Sequence, residues 1–316
     1  TLEFNPEILK RFVNFMNNPD EETSVAQFGK GDKYFGVCLL MATLPGLPMF
    51  GHGQVEGLTE KYGMEYRRAY WDESADLQLL QRHEREIFPI LHRRSLFAGV
   101  EHFLLYDFQT ETGVNEDVFA YSNRLDGAGE ARALVVYHNR YADTGGWIHL
   151  SCAVAVQNGN GRSLVQRSLA EGLGLANDEN MYCIFRDHLN GLEYLRRCRE
   201  LHDRGLYVEL RAYGAHVFLD FREVPGGSER PYAALADYLN GRGVPDMEAA
   251  LREILLQPVQ QPLRTLINAA AFGRLMEERR EDLKQRRSKL PSADLSEAID
   301  LLSRRQTPAG KEFADY

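Results

Sequence analysis

The chain has 316 residues and a net charge of −9, with 44% hydrophobic and 26% charged residues. This is ordinary globular composition, with room for two or three domains and for a core that needs no disulfide staples. The acidic balance excludes a nucleic-acid binder held by phosphate contacts, which need a basic footprint. No apolar run approaches the roughly 20 residues that span a bilayer, so no membrane role is expected.

Phe12-Val13-Asn14-Phe15-Met16 is a short apolar run closed by the turn formers Asn17-Asn18-Pro19-Asp20, which predicts a buried strand feeding a loop. Residues 34–43 predict a buried helix, stopped by Pro45-Gly46-Leu47-Pro48, and Met49-Phe50 begins the next strand. Leu77, Leu80, Glu84, Ile87 and Leu91 then fit a helical stripe. Strand, helix, strand, helix predicts parallel α/β architecture for residues 1–97.

Residues 98–225 read differently. Strands are predicted at 133–138 and 147–154, with Asp143-Thr144-Gly145-Gly146 as a hairpin turn between them. A helix over 192–203, ended by Gly205, interrupts before a second antiparallel pair at 206–210 and 216–221. The expected fold is a β-sandwich with an inserted helix. Pro225-Gly226-Gly227-Ser228 reads as a linker to a helical extension over 226–316, with helical spacing at 247–256 and 263–276. From Thr307 the chain is polar and predicted to fray.

Cys38, Cys152, Cys183 and Cys198 form no C-x-x-C pair and have no histidine at zinc spacing, so buried free thiols are expected. Such usage suits a reducing, cytoplasmic setting. Thr1-Leu2-Glu3-Phe4 has neither the basic start nor the apolar core of a signal peptide. His83 with Glu84 and Glu86 lacks the H-E-x-x-H pattern, and His138, His149 and His216 fall in predicted strands. Asp107, Glu111, Asn115, Glu116 and Asp117 match no EF-hand spacing and read as a solvated hairpin. No metal or other cofactor is expected.

Two segments carry candidate chemistry. In Phe15-Met16-Asn17-Asn18-Pro19-Asp20-Glu21 a strand runs straight into amides and carboxylates. Residues just past a strand's C-terminal end lie in the mouth of a parallel α/β barrel. A carboxylate there can accept hydrogen bonds from sugar hydroxyls and stabilise an oxocarbenium ion; the plainer role for Asp20 is to cap a turn or helix. In Pro48-Met49-Phe50-Gly51-His52-Gly53-Gln54-Val55-Glu56-Gly57 the glycine spacing matches neither a dinucleotide fingerprint nor a phosphate loop. Farther on, Tyr62, Tyr66 and Tyr70 stand at i, i+4 and i+8, in a stretch ending at Trp71. They suit either a sugar platform or a packed lid helix.

In order and spacing these segments resemble the alpha-amylase family of glycoside hydrolases (family 13). The first is similar to that family's Phe-x-x-Asn-His-Asp signature at the end of barrel strand seven. Asn18 and Asp20 match, and Pro19 stands where the family has a substrate-contacting histidine. The second is similar to the strand-eight sequence Pro-x-Ile-Tyr-Tyr-Gly-Gln-Glu-x-Gly. There Pro48, Gly53, Gln54 and Gly57 match, and Gly51, His52 and Val55 depart.

The resemblance covers about the first 225 residues. It implies α/β plus β architecture: the last βα units of a (β/α)₈ TIM barrel (1–97), an antiparallel β-sandwich (98–225) and the helical extension. It makes Asp20 the third catalytic carboxylate, with Asn18, His52 and Gln54 lining the site. A full barrel takes about 250 residues, and the strand-four pattern Gly-x-Arg-x-Asp is absent from the chain. The resemblance therefore places the nucleophile and the general acid/base upstream of Thr1. The expected parent is a retaining glycoside hydrolase or transglycosidase acting on an α-glucan or maltooligosaccharide. The chain alone is expected to be inactive and, as an incomplete barrel, prone to self-association. The alternative is a degenerate glucan-binding or scaffolding protein, favoured by Pro19.

Overall fold

The computed structural model describes residues 6–288 except 62, 64–66, 128–129, 159–160, 228 and 267–268; the fraying expected from Thr307 lies outside the described residues. A 3₁₀ turn at Pro6–Arg11 leads into β1 (Val13–Phe15), followed by α1 (Ser24–Phe28), α2 (Asp32–Thr43) and β2 (Leu47–Met49). β1 and β2 pair in parallel, Val13 opposite Leu47 and Phe15 opposite Met49, with α1 and α2 on the crossover. The predicted βαβ arrangement is thus present.

α2 ends at Leu44 (φ −69°, ψ 146°), because the ring of Pro45 excludes the helical conformation from the residue before it. Tyr34, Phe35, Cys38, Leu39, Met41 and Ala42 of α2 are buried. The strand expected to be buried is not: Phe12, Val13 and Phe15 are 43–46% exposed, and Leu47 63%. Two strands have no further layer on that face among the described residues, so apolar composition there does not translate into burial.

After β2 come α3 (Leu77–Glu86), α4 (Phe88–Leu91) and α5 (Arg94–Ala98). Asp76 caps α3, its carboxylate accepting from the Gln78 and Leu79 amides. The buried stripe of α3 is Leu79, His83 and Glu86, and it continues through Ile87 and Ile90. Leu77, expected on the stripe, is 66% exposed.

The next region holds β3 (Leu104–Thr110), β4 (Gly113–Val114), β5 (Val118–Leu125), β6 (Ala131–His138), β7 (Thr144–Ser151), β8 (Val154–Asn158) and β9 (Gly161–Val165). It continues with α6 (Leu169–Leu173), β10 (Met181–Asp187), β11 (Glu193–Arg197), α7 (Cys198–Asp203), β12 (Leu206–Leu210) and β13 (Ala215–Pro225). β8 and β9 form a separate hairpin. The other strands make one antiparallel path, β11-β10-β13-β6-β5-β3-β7-β12, with β4 on β3. The antiparallel character matches expectation, but the strands form one hydrogen-bonded path instead of the two sheets of a sandwich. The path curls, because residues from Leu104 on β3 to Val208 on β12 share one apolar core with α6 and α7. A second core joins α2 to α5 with Tyr121, Ala133, Val135, Val217 and Leu219 of the sheet.

Three local expectations are corrected. The predicted hairpin at 143–146 is instead the start of β7, which pairs with β3 and β12 and not with β6. Gly146 sits in a strand because β3 crosses so close that a Cβ would meet the Gln109 carbonyl and the Phe108 ring at 2.6 Å. The predicted pair at 206–210 and 216–221 is not a pair: β12 lies on β7, whereas β13 lies between β10 and β6. The predicted helix over 192–203 is half strand, since β11 zips onto β10 before α7 begins at Cys198.

The expected linker at 225–228 is not a boundary between compact units. Pro225 closes β13, and the Gly226 amide donates to the Asn180 carbonyl at 2.7 Å. α8 (Tyr232–Leu239) and the start of α9 (Met247–Leu266) pack on β10 and β11 through Tyr232, Leu235, Leu239, Met247 and Leu251. The first compact unit runs to Ile254. The second, from Leu255, comprises the rest of α9 and α10 (Ala269–Ser288). No helix among the described residues is long and apolar enough to cross a membrane.

Candidate functional site

Because β1 and β2 run parallel, the loops leaving them emerge at the same end. The β1 loop is shaped by Asn18, whose Oδ1 accepts from the Asp20 amide at 2.8 Å and the Glu21 amide at 3.1 Å. This is an Asx turn, built by a side chain that mimics the backbone. Thr23 caps α1 by accepting from the Ala26 amide. Capping thus falls to Asn18 and Thr23, and the Asp20 carboxylate is exposed to solvent. Lys61 donates to the Asp20 carbonyl at 3.0 Å and lies 3.9 Å from the Glu22 carboxylate. It ties the β1 loop to the chain that follows β2.

The β2 loop is braced by Gln54, which is 2% exposed. Its Oε1 accepts from the Gly51 amide at 3.0 Å, its Nε2 lies 3.2 Å from the Met16 sulfur, and its carbonyl accepts from the Tyr34 hydroxyl at 2.8 Å. Gln54 therefore holds the loop's shape from below and does not line the surface. Tyr34 in turn meets His83 Nε2 at 2.9 Å. His83 sits among Phe35, Phe50 and Phe88, and burial pushes its pKa down to about 4.

His52 is exposed and, with Glu60, lines two neighbouring depressions. One, of about 30 Å³, is lined by Asn18, Pro19, Glu60 and Lys61 as well. The other, of about 250 Å³, adds Trp71, Asp72 and Glu73. The loop between them is held by carboxylates. Glu60 accepts from the Tyr70 and Trp71 amides at 2.7 and 3.1 Å. Glu73 accepts from the Thr59 hydroxyl at 2.6 Å and from the Thr59 and Glu60 amides. These hydrogen bonds, led by that of the Thr59 hydroxyl, lower the Glu73 pKa. They present Tyr70 and Trp71, 68% and 58% exposed, on the outside of the loop. Tyr62 and Tyr66 lie outside the described residues, so the platform and lid alternatives stand only on Tyr70 and Trp71.

The structure thus brings Asn18 and His52 to one depression, places the exposed Asp20 in the same loop, and sets Gln54 beneath as a brace. Glu60 and Lys61, which organise the cleft, were embedded in the sequence stretch but carried no motif of their own. Elsewhere the acidic segment is a turn. The Asn115 amide donates to Thr144 Oγ1 at 3.1 Å, and Arg140 pairs with Asp117 at 2.8 Å. Cys38, Cys183 and Cys198 are buried free thiols, and Cys152 is half-buried. No cluster of metal-ligating side chains occurs among the described residues.

No family model and no curated protein matches the sequence. Among solved structures, the chain is similar to the alpha-amylase of Geobacillus thermoleovorans in complex with acarbose. They share 13% identity at a TM-score of 0.44, over 67% of this chain and 39% of that one. It is similar to the Nostoc punctiforme debranching enzyme at 13% identity and a TM-score of 0.41, over 68% of this chain and 34% of that one. It is also similar to the pullulanase of Anoxybacillus sp. LM18-11 in complex with maltotriose, at 17% identity and a TM-score of 0.38, over 66% and 27% of the two chains. The chain spans about two fifths or less of the length of these structures. Overlaps this loose, at such identities, leave the functional reading to the residues themselves.

Proposed function

We propose that this chain is the C-terminal part of an α-glucan-acting glycoside hydrolase or transglycosidase of the alpha-amylase type. In this reading Asp20 accepts hydrogen bonds from the hydroxyls of the sugar at the scissile bond and stabilises the oxocarbenium-like transition state of a retaining reaction. Asn18 fixes the Asp20 loop, His52 lines the cleft, Gln54 braces the loop beneath it, and Trp71 offers a ring for a sugar face. The observation that carries the reading is the parallel register of β1 and β2. It sets two motif-bearing loops, far apart in the chain, side by side. Retaining chemistry needs two further carboxylates about 5 Å apart, which the reading assigns to barrel strands beyond those described. The chain by itself is then a binding half-site without turnover.

The second reading, a degenerate glucan-binding or scaffolding protein, is favoured by Pro19. Proline offers no donor in place of the histidine that the resemblance implies, and it lines the depression directly. The parent's upstream sequence separates the two, since an Asp and a Glu at the strand-four and strand-five positions belong only to the enzyme.

The chain has two tryptophans, Trp71 and Trp147, so a Trp147→Phe chain reports on the cleft alone. Maltoheptaose is expected to change its fluorescence saturably, and Asp20→Ala to weaken that response. Reducing-end release from maltoheptaose is expected to stay at background. No fluorescence response would overturn the α-glucan reading. Release that Asp20→Asn abolishes would show that the chain carries its own nucleophile and acid, and would overturn the half-site.

A further inference from the structure

His83 on α3 is fully buried, and its ring lies in an aromatic box. Tyr34 and Phe35 come from α2, Phe50 from the β2 loop and Phe88 from α4, with centroids 5.1–6.3 Å away. Nδ1 has no hydrogen-bond partner among the described residues. A bare polar atom in such a box destabilises the fold, and leucine at this position would carry none. Packing therefore does not explain a histidine here.

The hydrogen bonds do. The Gln54 main-chain carbonyl can only accept, so the single hydroxyl proton of Tyr34 points to it, at 2.8 Å. The Tyr34 oxygen is then the acceptor for His83 Nε2, at 2.9 Å. In the neutral ring this puts the one N–H on Nε2 and leaves Nδ1 bare, as found. Burial keeps the ring neutral, with its pKa down to about 4, and burial also keeps the proton on the Tyr34 hydroxyl. Donation runs one way, from His83 to Tyr34 to Gln54. Gln54 grips Gly51 twice, its amide donating to the Gly51 carbonyl at 3.2 Å and its Oε1 accepting from the Gly51 amide at 3.0 Å. His52 lies inside this turn.

We infer that His83 is a positioning residue for the cleft: through Tyr34 it fixes the Gln54 carbonyl, and with it the turn that carries His52 to the surface. That the cleft takes an α-glucan rests on the function proposed above; the hold of His83 on the turn rests on the hydrogen bonds alone. The same arrangement makes the hold sensitive to acid, because a second proton goes to Nδ1, which faces no acceptor among the described residues. The charges acting on the ring are Glu86 and Arg82 on α3 and Glu56 of the β2 loop. Glu86 is already paired with Arg82 and Arg85 at 2.9 and 2.7 Å. From α2 the ring meets Tyr34, beside Cys38, whose thiol burial pushes up, and α4 presents Phe88.

Hydrogen exchange over residues 49–58 reads the turn, and the Trp71 response to maltoheptaose in the Trp147→Phe chain reads the ligand. His83→Leu removes the donor and the bare acceptor together. It is expected to speed exchange over 49–58 about tenfold while α2 and α3 stay as they are. It is also expected to raise the Kd about three- to tenfold, the strength of one hydrogen bond. His83→Gln, whose Nε2 can donate to Tyr34, is expected to restore both, and Tyr34→Phe to reproduce His83→Leu. Lowering the pH toward 4 is expected to loosen the turn of the native chain relative to His83→Gln at the same pH. Native exchange in His83→Leu overturns the inference, and so does exchange that rises equally across α2 and α3, which is lost packing. A turn as loose in His83→Gln as in His83→Leu overturns the role of Nε2, and a pH profile shared by the native chain and His83→Gln overturns acid release. A looser turn with an unchanged Kd overturns its bearing on the cleft. No maltoheptaose response, beside fast exchange confined to 49–58 in His83→Leu, overturns the α-glucan reading and leaves the hold of His83 on the turn standing.

Discussion

His216 shows how one side chain can be committed to a charge state by geometry. Its Nδ1 lies 2.7 Å from the carboxylate of Asp187, which is fully buried, and its Nε2 lies 3.2 Å from the Glu209 carbonyl. Both partners are acceptors, so both ring nitrogens donate only in the imidazolium form. Burial alone would lower its pKa, but the hydrogen bond and charge of Asp187 outweigh burial and raise it above the ordinary value. A raised folded-state pKa gives stability that is fully present below the ordinary histidine range and lost as pH rises through the folded value. The urea midpoint of the native chain is therefore expected to fall over that window relative to His216→Gln. Parallel pH profiles for the two proteins would remove the imidazolium from the account. His83 acts in the opposite sense: buried and neutral, it resists charging until about pH 4. It thus withdraws stability as pH falls from the ordinary value toward that point.

At the scale of the element, α2 joins the βαβ unit to the curled sheet. Gly36 on α2 faces the Tyr137 ring of β6 so closely that a Cβ would collide with it. Tyr137 is itself fully buried. Gly36→Ala is expected to destabilise the chain by about 1–3 kcal/mol, although alanine is the better helix former. Chemical denaturation measures this directly, and an unchanged midpoint would mean that α2 can move away from β6 at no cost. α6 adds a local device to its packing in the core. Ser168 accepts from the Glu171 amide while the Glu171 carboxylate accepts from the Ser168 amide, a capping box written as Ser-x-x-Glu in the sequence. The β10–β11 connection likewise carries Asn190-Gly191, with Gly191 at φ 74°, the strongest short-range hairpin signal. That signal competes with the leucine spacing of 192–203. The strand wins as far as Arg197, because β11 there gains a full set of partners on β10.

For the whole molecule, the open feature is the parallel β1–β2 sheet. Among the described residues each of its strands has one unpaired edge, and Phe12, Val13, Phe15 and Leu47 face solvent. Exposed apolar residues beside unpaired strand edges template association. The chain is expected to sediment faster as its concentration rises, and Phe15→Lys with Leu47→Lys to suppress the effect. A monomer at all concentrations would show that the second face needs no partner.

Local chemistry was sufficient for much of this protein. Pro45 ends α2, Asn18 and Thr23 shape the loop after β1, and the apolar runs of the first zone alternate as strand, helix and strand do, since each depends on neighbours a few residues away. The loops bearing Asn18, Asp20 and His52 were legible for the same reason. Strand partnership was not. β7 and β12, and β6 and β13, meet across tens of residues, and nothing in their alternation distinguishes the true partner from the nearest one. Burial was not legible either, because the exposure of Phe15 depends on which layers surround it and the burial of Gln54 depends on Met16 and Tyr34 closing over it. The gap between β11 and β12 belongs wholly to tertiary structure, since these are the two ends of the sheet path and do not pair with each other.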